Sequence, residues 1–190
     1  MSEVALIFHG PINHPATVRL RNAICNAMGG WFPAQNAVRC SKLFLLFSSG
    51  GGSIEDGFSL YNLLRSFKVP VVTVNMSLIT SISNVVFLGG DERWAAEHSF
   101  FQFHDFDWTF PGPHSMDQHN FAYSSQQLET SKNLKKSIFK THTKFTDTDF
   151  QTLKFLDQSL IIDSSAAKKY GIVQHVGLPA LPPIVVNVDY

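Results

Sequence analysis

Three consecutive glycines, Gly50–Gly52, follow the apolar run Leu43–Phe47 after two serines and precede a helically spaced segment, Phe58–Phe67. A continuous apolar run of this length is typical of a strand that is covered on both faces. Glycine permits backbone conformations that other residues avoid, and it lets N–H groups approach a ligand closely. The feature therefore predicts a strand, a tight turn and a helix. The turn alone explains the glycines, but they also suit an oxyanion hole or a phosphate cradle.

The same alternation of strands and helices continues along the chain, which predicts right-handed parallel crossovers. Predicted strands are Val4–Phe8, Leu43–Phe47, Val69–Val74, Ser99–His104, Leu160–Ile162 and Ile172–Val176. Predicted helices are Thr17–Met28, Phe58–Phe67, Ile79–Leu88, Asn120–Thr143, Thr146–Leu156 and Ser164–Tyr170, with Thr146 as an N-cap. Regular structure is expected to break at the prolines of Pro179–Pro183. The length of 190 residues and the absence of a linker predict a single domain over residues 1–190.

Composition excludes several classes of function. A formal net charge of zero gives no basic patch for nucleic acid. Cys25 and Cys40 are expected to be reduced, and no Cys/His spacing suits zinc, so neither a metal nor a cofactor is expected. Neither a signal peptide nor a membrane-spanning run is present, which makes a cytoplasmic location the default expectation. Charged residues make up 16% and there are 17 Phe, so some apolar surface is expected to contact other subunits.

Phosphate binding is a weak interpretation of the glycines, because no Lys follows in the P-loop arrangement and no G-x-G-x-x-G is present. Two side chains at the ends of successive predicted strands favour a catalytic use. Ser81 follows Val69–Val74 at a strand-to-helix turn, where a hydroxyl can face the carboxyl edge of the sheet. His104 ends the next strand and has a side chain suited to a general base. Taken alone, a helix start explains Ser81 as well, and Ser77, Thr80 and Ser83 are competing hydroxyls.

Together these segments resemble the Clp protease proteolytic subunit (ClpP), a serine peptidase family. The likeness runs from about Val4 to Val176 and is strongest from Ser49–Ile54 through Ser81 to His104; Lys169–Val173 also matches. It implies a ClpP/crotonase-like fold: repeated β-α-β units, a mostly parallel sheet and a protruding helix-strand handle. It also implies hydrolysis of peptides or unfolded proteins without a cofactor, by subunits that assemble into a homo-oligomeric ring. In the family, the segment that corresponds to Asn120–Thr143 builds the contact between stacked rings.

By this resemblance Ser81 is the nucleophile and His104 its base, while Gly52 and Ile82 supply the N–H groups of an oxyanion hole. The acid of the triad depends on how the chain is counted. Counting forward from His142 places it on Asp157, and counting backward from Tyr170 places it on Ser159. A two-residue insertion reconciles the counts and favours Asp157, with Asp163 as the fallback.

The chain departs from the family pattern around the nucleophile, where small residues are usual. Ser83 and Asn84 follow Ile82, Ser77 and Thr80 precede Ser81, and Gly50 stands where proline is usual. This bulk is expected to narrow the site, so a catalytically inactive ring subunit is an alternative; a crotonase-like acyl-CoA enzyme is a weaker one. The sequence also begins almost on the first strand. By the resemblance, the segment that lines the ring's pore in the family is expected to be missing, so a Clp ATPase partner is one alternative and peptidase activity without ATP is another.

Overall fold

A computed structural model describes residues 2–29, 40–104, 118–153 and 159–188. Its strands are β1 (Ser2–His9), β2 (Cys40–Ser49), β3 (Val71–Thr80), β4 (Glu92–Ala95), β5 (Phe100–Phe103), β6 (Leu160–Asp163), β7 (His175–Val176) and β8 (Ile184–Asn187). Its helices are α1 (His14–Ala27), α2 (Ile54–Ser66), α3 (Ser83–Phe87), α4 (Gln118–His142), α5 (Asp147–Leu153) and α6 (Ser164–Lys169).

The strands form one sheet in the order β6-β5-β3-β2-β1-β8, with β4 branching from β3 and β7 pairing with β4. Every pairing is parallel except that of β5 with β6. The predicted parallel α/β arrangement is confirmed. Because parallel strands end at one edge of the sheet, the turns after β2, β3 and β5 are brought together there.

Among the predicted boundaries that are wrong, one lies at the centre of the site; elsewhere the strand predicted over Ile172–Val176 is only His175–Val176, and the helix predicted from Phe58 begins at Ile54. Ile79–Leu88 was predicted to be helical, but β3 continues to Thr80 and α3 spans only Ser83–Phe87. The first half of β3 pairs with β4, and its last residues then pair with β5, Ile79 lying beside Phe101. This second partner extends the strand and moves the strand-to-helix turn onto Ser81.

Two strands were missed by the sequence prediction. β4 is a short strand that follows Gly89 and Gly90, and β8 lies just after the prolines of Pro179–Pro183. All four residues of β8 are exposed although the strand pairs with β1, so it has no buried periodicity to detect. The predicted capping role of Thr146 is confirmed, because its hydroxyl accepts the Asp149 N–H at 3.1 Å.

The apolar core lies on both faces of the sheet. Side chains such as Leu6, Leu45 and Phe47 pack with the helices on one face, whereas Phe44 and Leu46 are buried on the other. The expected two-sided burial of the second strand is therefore confirmed, and it makes β2 the fixed support for the glycine turn. In the part of the chain that the structure describes, no helix is long and apolar enough to cross a membrane.

Candidate active site

Ser81 occupies a strained turn between β3 and α3. Its φ of +58° makes it the one non-glycine residue with a positive φ among the described residues. The left-handed conformation costs an L-residue roughly 1–2 kcal/mol, so it persists only where the surroundings enforce it. The Ser81 N–H donates to the Gln102 carbonyl at 3.2 Å, which ties the turn to β5. A strained serine at a strand-to-helix elbow is the geometry of a presented nucleophile.

Gly51 packs directly against this elbow. Its φ is +86°, and a Cβ built there would lie 2.6 Å from Ser81 Cβ and 2.9 Å from the Thr80 carbonyl oxygen. Both the backbone angle and the close approach exclude a side chain at this position. By contrast, a Cβ built on the preceding Gly50 would meet nothing within 4 Å. The glycine turn therefore contacts Ser81 through Gly51, not through Gly50.

Gly52 is fixed by the loop that follows β1. The Ile12 N–H donates to the Gly51 carbonyl and the Ser53 N–H donates to the Ile12 carbonyl, each at 2.7 Å. These bonds occupy one edge of the turn, while the Gly52 N–H points from the other edge. Within the described ranges, neither the Gly52 N–H nor the Ile82 N–H donates a hydrogen bond. Two backbone donors beside Ser81 thus have no acceptor within the described part of the protein.

An open surface cavity adjoins the turn on the side of Gly50. Its volume is about 430 Å³. Its lining includes the exposed side chains of His9 and Ser77 and the backbone of Gly50. The cavity leaves the glycine turn accessible from solvent at the carboxyl edge of the sheet.

Ser83 and Asn84 brace the elbow from beneath. The buried Ser83 hydroxyl bonds to the Ser49 carbonyl at 3.0 Å and to the Thr80 carbonyl, and it accepts the Thr80 N–H. Asn84 Nδ2 donates to the Ser81 carbonyl at 3.1 Å and to the Gln102 carbonyl at 2.9 Å. Both side chains are buried, so their share of the bulk expected to narrow the site lies under the elbow, whereas Ser77 is exposed at the adjoining cavity.

His104 immediately follows β5, at the same edge of the sheet as Ser81. The Ser81 N–H bonds to the carbonyl of Gln102, so the candidate base lies two residues beyond that contact on the neighbouring strand. Paired strands are about 4.8 Å apart, which puts the two residues on adjacent strand ends. The His104 carbonyl accepts a hydrogen bond from Lys135 Nζ of α4 at 2.8 Å.

The candidates for the acid differ in position. Asp157 lies outside the described residues. Asp163 pairs with Phe100 at the far end of β5, and its carboxylate accepts the Ala166 N–H at 2.7 Å as the N-cap of α6. Four strand positions, roughly 13 Å, separate it from His104, which excludes the fallback as the partner of that imidazole. Ser159 precedes the paired stretch of β6 just where His104 follows that of β5.

Two buried cations support this region and were missed in the sequence. Arg93 donates to the carbonyls of Gly90, Ile172 and His142, joining β4 to the end of α4, and burial lowers its pKa to about 10. Lys135 is 1% exposed. Lys135 lies four residues before the apolar Phe139, so both side chains lie on one face of the helix, and this spacing was the signal in the sequence that the lysine faces inward. In the described ranges, no group of three or more His, Cys, Asp or Glu side chains is placed to hold a metal ion.

Comparison with known proteins agrees with this architecture. Residues 22–179 match the family model described as Clp protease. The chain is 30% identical over 137 residues to the ATP-dependent Clp protease proteolytic subunit 2 of Borreliella burgdorferi, covering 70% of this chain and 66% of that protein. It is 27% identical over 165 residues to the ATP-dependent Clp protease proteolytic subunit of Cyanophora paradoxa, covering 80% and 77%.

A solved structure of a ClpP1 mutant from Listeria monocytogenes superposes with a TM-score of 0.70. The superposition covers 93% of this chain and 92% of that one at 15% sequence identity. This likeness shows the fold, which is the ClpP/crotonase-like arrangement of a mostly parallel sheet with flanking helices.

Proposed function

The chain belongs to the Clp protease family, and we propose that it is a serine-type endopeptidase acting on peptides or unfolded proteins. The observation that carries the proposal is the left-handed backbone of Ser81, packed against Gly51 at the carboxyl edge of the sheet. Strain of this kind is retained where it presents a reactive side chain. Support also comes from His104 on the adjacent strand end and from two backbone donors that flank the serine.

In the proposed reaction the Ser81 hydroxyl adds to the carbonyl carbon of a peptide bond while His104 takes its proton. The resulting oxyanion accepts hydrogen bonds from the N–H groups of Gly52 and Ile82, which need no rearrangement because they have no acceptor within the described chain. The imidazolium then protonates the leaving amine as the C–N bond breaks. His104 then deprotonates a water molecule, which adds to the acyl-serine ester. The imidazolium returns this proton to the Ser81 oxygen as the ester bond breaks.

We propose Asp157 as the acid that orients the imidazole. It precedes Ser159 by two residues in the sequence, and Ser159 adjoins the end of β5 through the register of β6. A carboxylate on the ring nitrogen opposite the nucleophile selects the tautomer that accepts the serine proton.

Substrate is proposed to lie extended along the free edge of Gly50–Ile54. Ile12 already occupies the other edge through its bonds to Gly51 and Ser53, so backbone pairing is available only on the edge that carries the Gly52 N–H. Pairing of this kind reads the backbone and not the side chains, which suits unfolded chains of varied sequence.

We further propose that the subunits assemble into rings, and that the rings stack through the first turns of α4. The first turns of this helix expose Phe121 and Tyr123, each 62% accessible, which is unusual for aromatic residues on a surface without a partner. The relatives are named as ATP-dependent subunits. Hydrolysis of a short peptide needs no unfolding, so the chemistry is expected without ATP, and a Clp ATPase is not required for the test.

The test is labelling with a fluorophosphonate, which reacts only with activated serines, combined with cleavage of a fluorogenic peptide. We expect Ser81→Ala to abolish labelling and to lower peptide cleavage by about 10³-fold or more. Ser77→Ala is the matched control, because Ser77 is an exposed neighbouring hydroxyl outside the elbow, and it should label as the wild type does.

The outcomes separate the competing functions. Labelling that survives Ser81→Ala removes Ser81 from the mechanism. A folded wild-type protein that forms rings but neither labels nor cleaves is the inactive subunit. Thermal stabilisation by acyl-CoA without labelling identifies the acyl-CoA enzyme instead.

A further inference from the structure

Lys135, in the second half of α4, is a buried lysine that contacts the candidate catalytic base. It is 1% exposed, and its Nζ donates to the His104 carbonyl at 2.8 Å. With Arg93, it is one of two buried cationic residues in the described part of the chain. The contact joins positions 31 residues apart in sequence, so it links the long helix to the strand end that carries the base.

A lysine at this position is costly. Removing an ammonium group from water destabilises the protein by several kcal/mol unless partners compensate it. The surrounding helix face is otherwise suited to an apolar side chain. One turn later Phe139 is fully buried, and its ring meets that of Phe103 with centroids 5.6 Å apart. Packing alone would therefore favour leucine or methionine at position 135. The presence of a lysine there is better explained by the group to which its ammonium donates a hydrogen bond.

One group that Lys135 holds is the backbone carbonyl of His104. β5 makes its last ladder pairing at Phe103, so His104 lies just past the sheet's own hydrogen bonds. The direction of the imidazole depends on the backbone that carries it, and a misplacement of about 1 Å at a reacting group lowers rates by roughly 100-fold. A charge-assisted hydrogen bond from a rigid helix is a strong restraint on that carbonyl.

We propose that Lys135 is a positioning residue that fixes the His104 backbone and thereby the alignment of the imidazole with Ser81. This inference rests on the proposed peptidase function. It assigns to α4 a role in the active site as well as in the surface of the subunit. Because Lys135 acts through His104, its loss lowers the rate of the chemical step and leaves substrate binding along the glycine turn intact.

The test compares Lys135→Met, which keeps the length and volume but removes the donor, with Lys135→Arg, which keeps a donor. Leu134→Ala is the control, since Leu134 is the neighbouring residue on the exposed side at 49% accessibility. We expect Lys135→Met to lower kcat and the rate of fluorophosphonate labelling by about 10–100-fold, with KM within twofold of wild type. Lys135→Arg recovers part of the rate, and Leu134→Ala matches the wild type.

Two further readouts separate positioning from folding and from the proposed function. The melting temperature of Lys135→Met should stay at or above that of wild type, because a buried charge is replaced by an apolar isostere. The His104 ring resonance in ¹³C-histidine-labelled protein, assigned with His104→Gln, should shift in Lys135→Met and not in Leu134→Ala. A Lys135→Met protein with wild-type kcat and an unmoved resonance overturns the inference, as does a rate loss explained by a smaller folded fraction. If wild type fails to label but the resonance moves, the positioning contact stands and the peptidase proposal fails.

Discussion

The candidate site has two halves that are held in different ways. The nucleophile half comprises the Gly50–Ser53 turn and the Ser81 elbow, and it is held by backbone contacts between the ends of neighbouring strands. The base half comprises His104 and the end of β5, and it is held by Lys135 of α4 and by the antiparallel strand β6. The first half is held by steric contacts between neighbouring strand ends, whereas the second is held by hydrogen bonds from elements far along the chain.

This difference separates the two halves energetically. A backbone elbow with a left-handed residue and a glycine at its side has one accessible arrangement, because any displacement produces overlap. Hydrogen bonds to a carbonyl past the end of a strand allow more movement, and each contributes about 1–3 kcal/mol. Substitutions in the nucleophile half should therefore affect folding and activity together, while substitutions in the base half should mainly affect activity.

The largest effect expected in the base half comes from its proposed acid, Asp157. We expect Asp157→Asn to lower kcat by about 10³–10⁴-fold, because an amide stabilises the wrong imidazole tautomer and cannot compensate the imidazolium. Its melting temperature should remain close to that of wild type. The measurement is peptide cleavage by active-site-titrated enzyme.

Asp163→Asn is the matched control for this substitution. Asparagine is as good an N-cap as aspartate, so the bond to Ala166 is kept and both activity and stability should be preserved. An equal loss of activity in Asp163→Asn would contradict the geometry described above. Full activity in Asp157→Asn would show that His104 acts without a carboxylate from Asp157.

The nucleophile half is tested by the two adjacent glycines. Gly51→Ala places a methyl group 2.6 Å from Ser81 Cβ on a backbone with φ of +86°, and we expect it to cost about 2–4 kcal/mol of unfolding free energy and at least tenfold in labelling rate. Gly50→Ala meets nothing within 4 Å and should change stability by no more than about 1 kcal/mol. Urea unfolding and fluorophosphonate labelling measure both. Equal stability and labelling in the two variants would show that the turn does not press on the elbow.

The same division explains what the sequence could predict. The glycine run and His104 lie at the ends of predicted strands, so local patterns were enough to bring them to one edge. Ser81 was one of several hydroxyls near a helix start, and only the family resemblance singled it out. The extension of β3 to Thr80 was not predictable locally, because it depends on a second pairing partner, β5. Lys135 was missed for a similar reason: on a helix with many exposed polar residues, only the tertiary contact with His104 shows which lysine is buried.

The smallest effect is expected where α4 leaves the base half, at His142. Its Nε2 lies 2.8 Å from the Tyr61 hydroxyl, and its carbonyl accepts a hydrogen bond from Arg93. Burial lowers the pKa of His142, the cations of Arg93 and Arg65 lower it further, and Asp91 opposes them. The unfolded chain, with a histidine pKa of about 6.5, therefore binds a proton more readily than the folded protein does.

It follows that the titration of His142 does not change the free energy of unfolding above about pH 6.5. As the pH falls below that value, proton uptake by the unfolded chain lowers the free energy of unfolding. His142→Gln cannot take up this proton, so its melting temperature should fall less than that of wild type between pH 7.5 and pH 5.5. Tyr61→Phe is the control, because it removes the phenol but keeps the titrating imidazole, and it should retain the wild-type slope. A His142→Gln protein that loses stability with pH as steeply as wild type would show that the end of α4 is not sensitive to this charge. The end of α4 would then be held by the hydrogen bond from Arg93 and by packing, independently of the charge on His142.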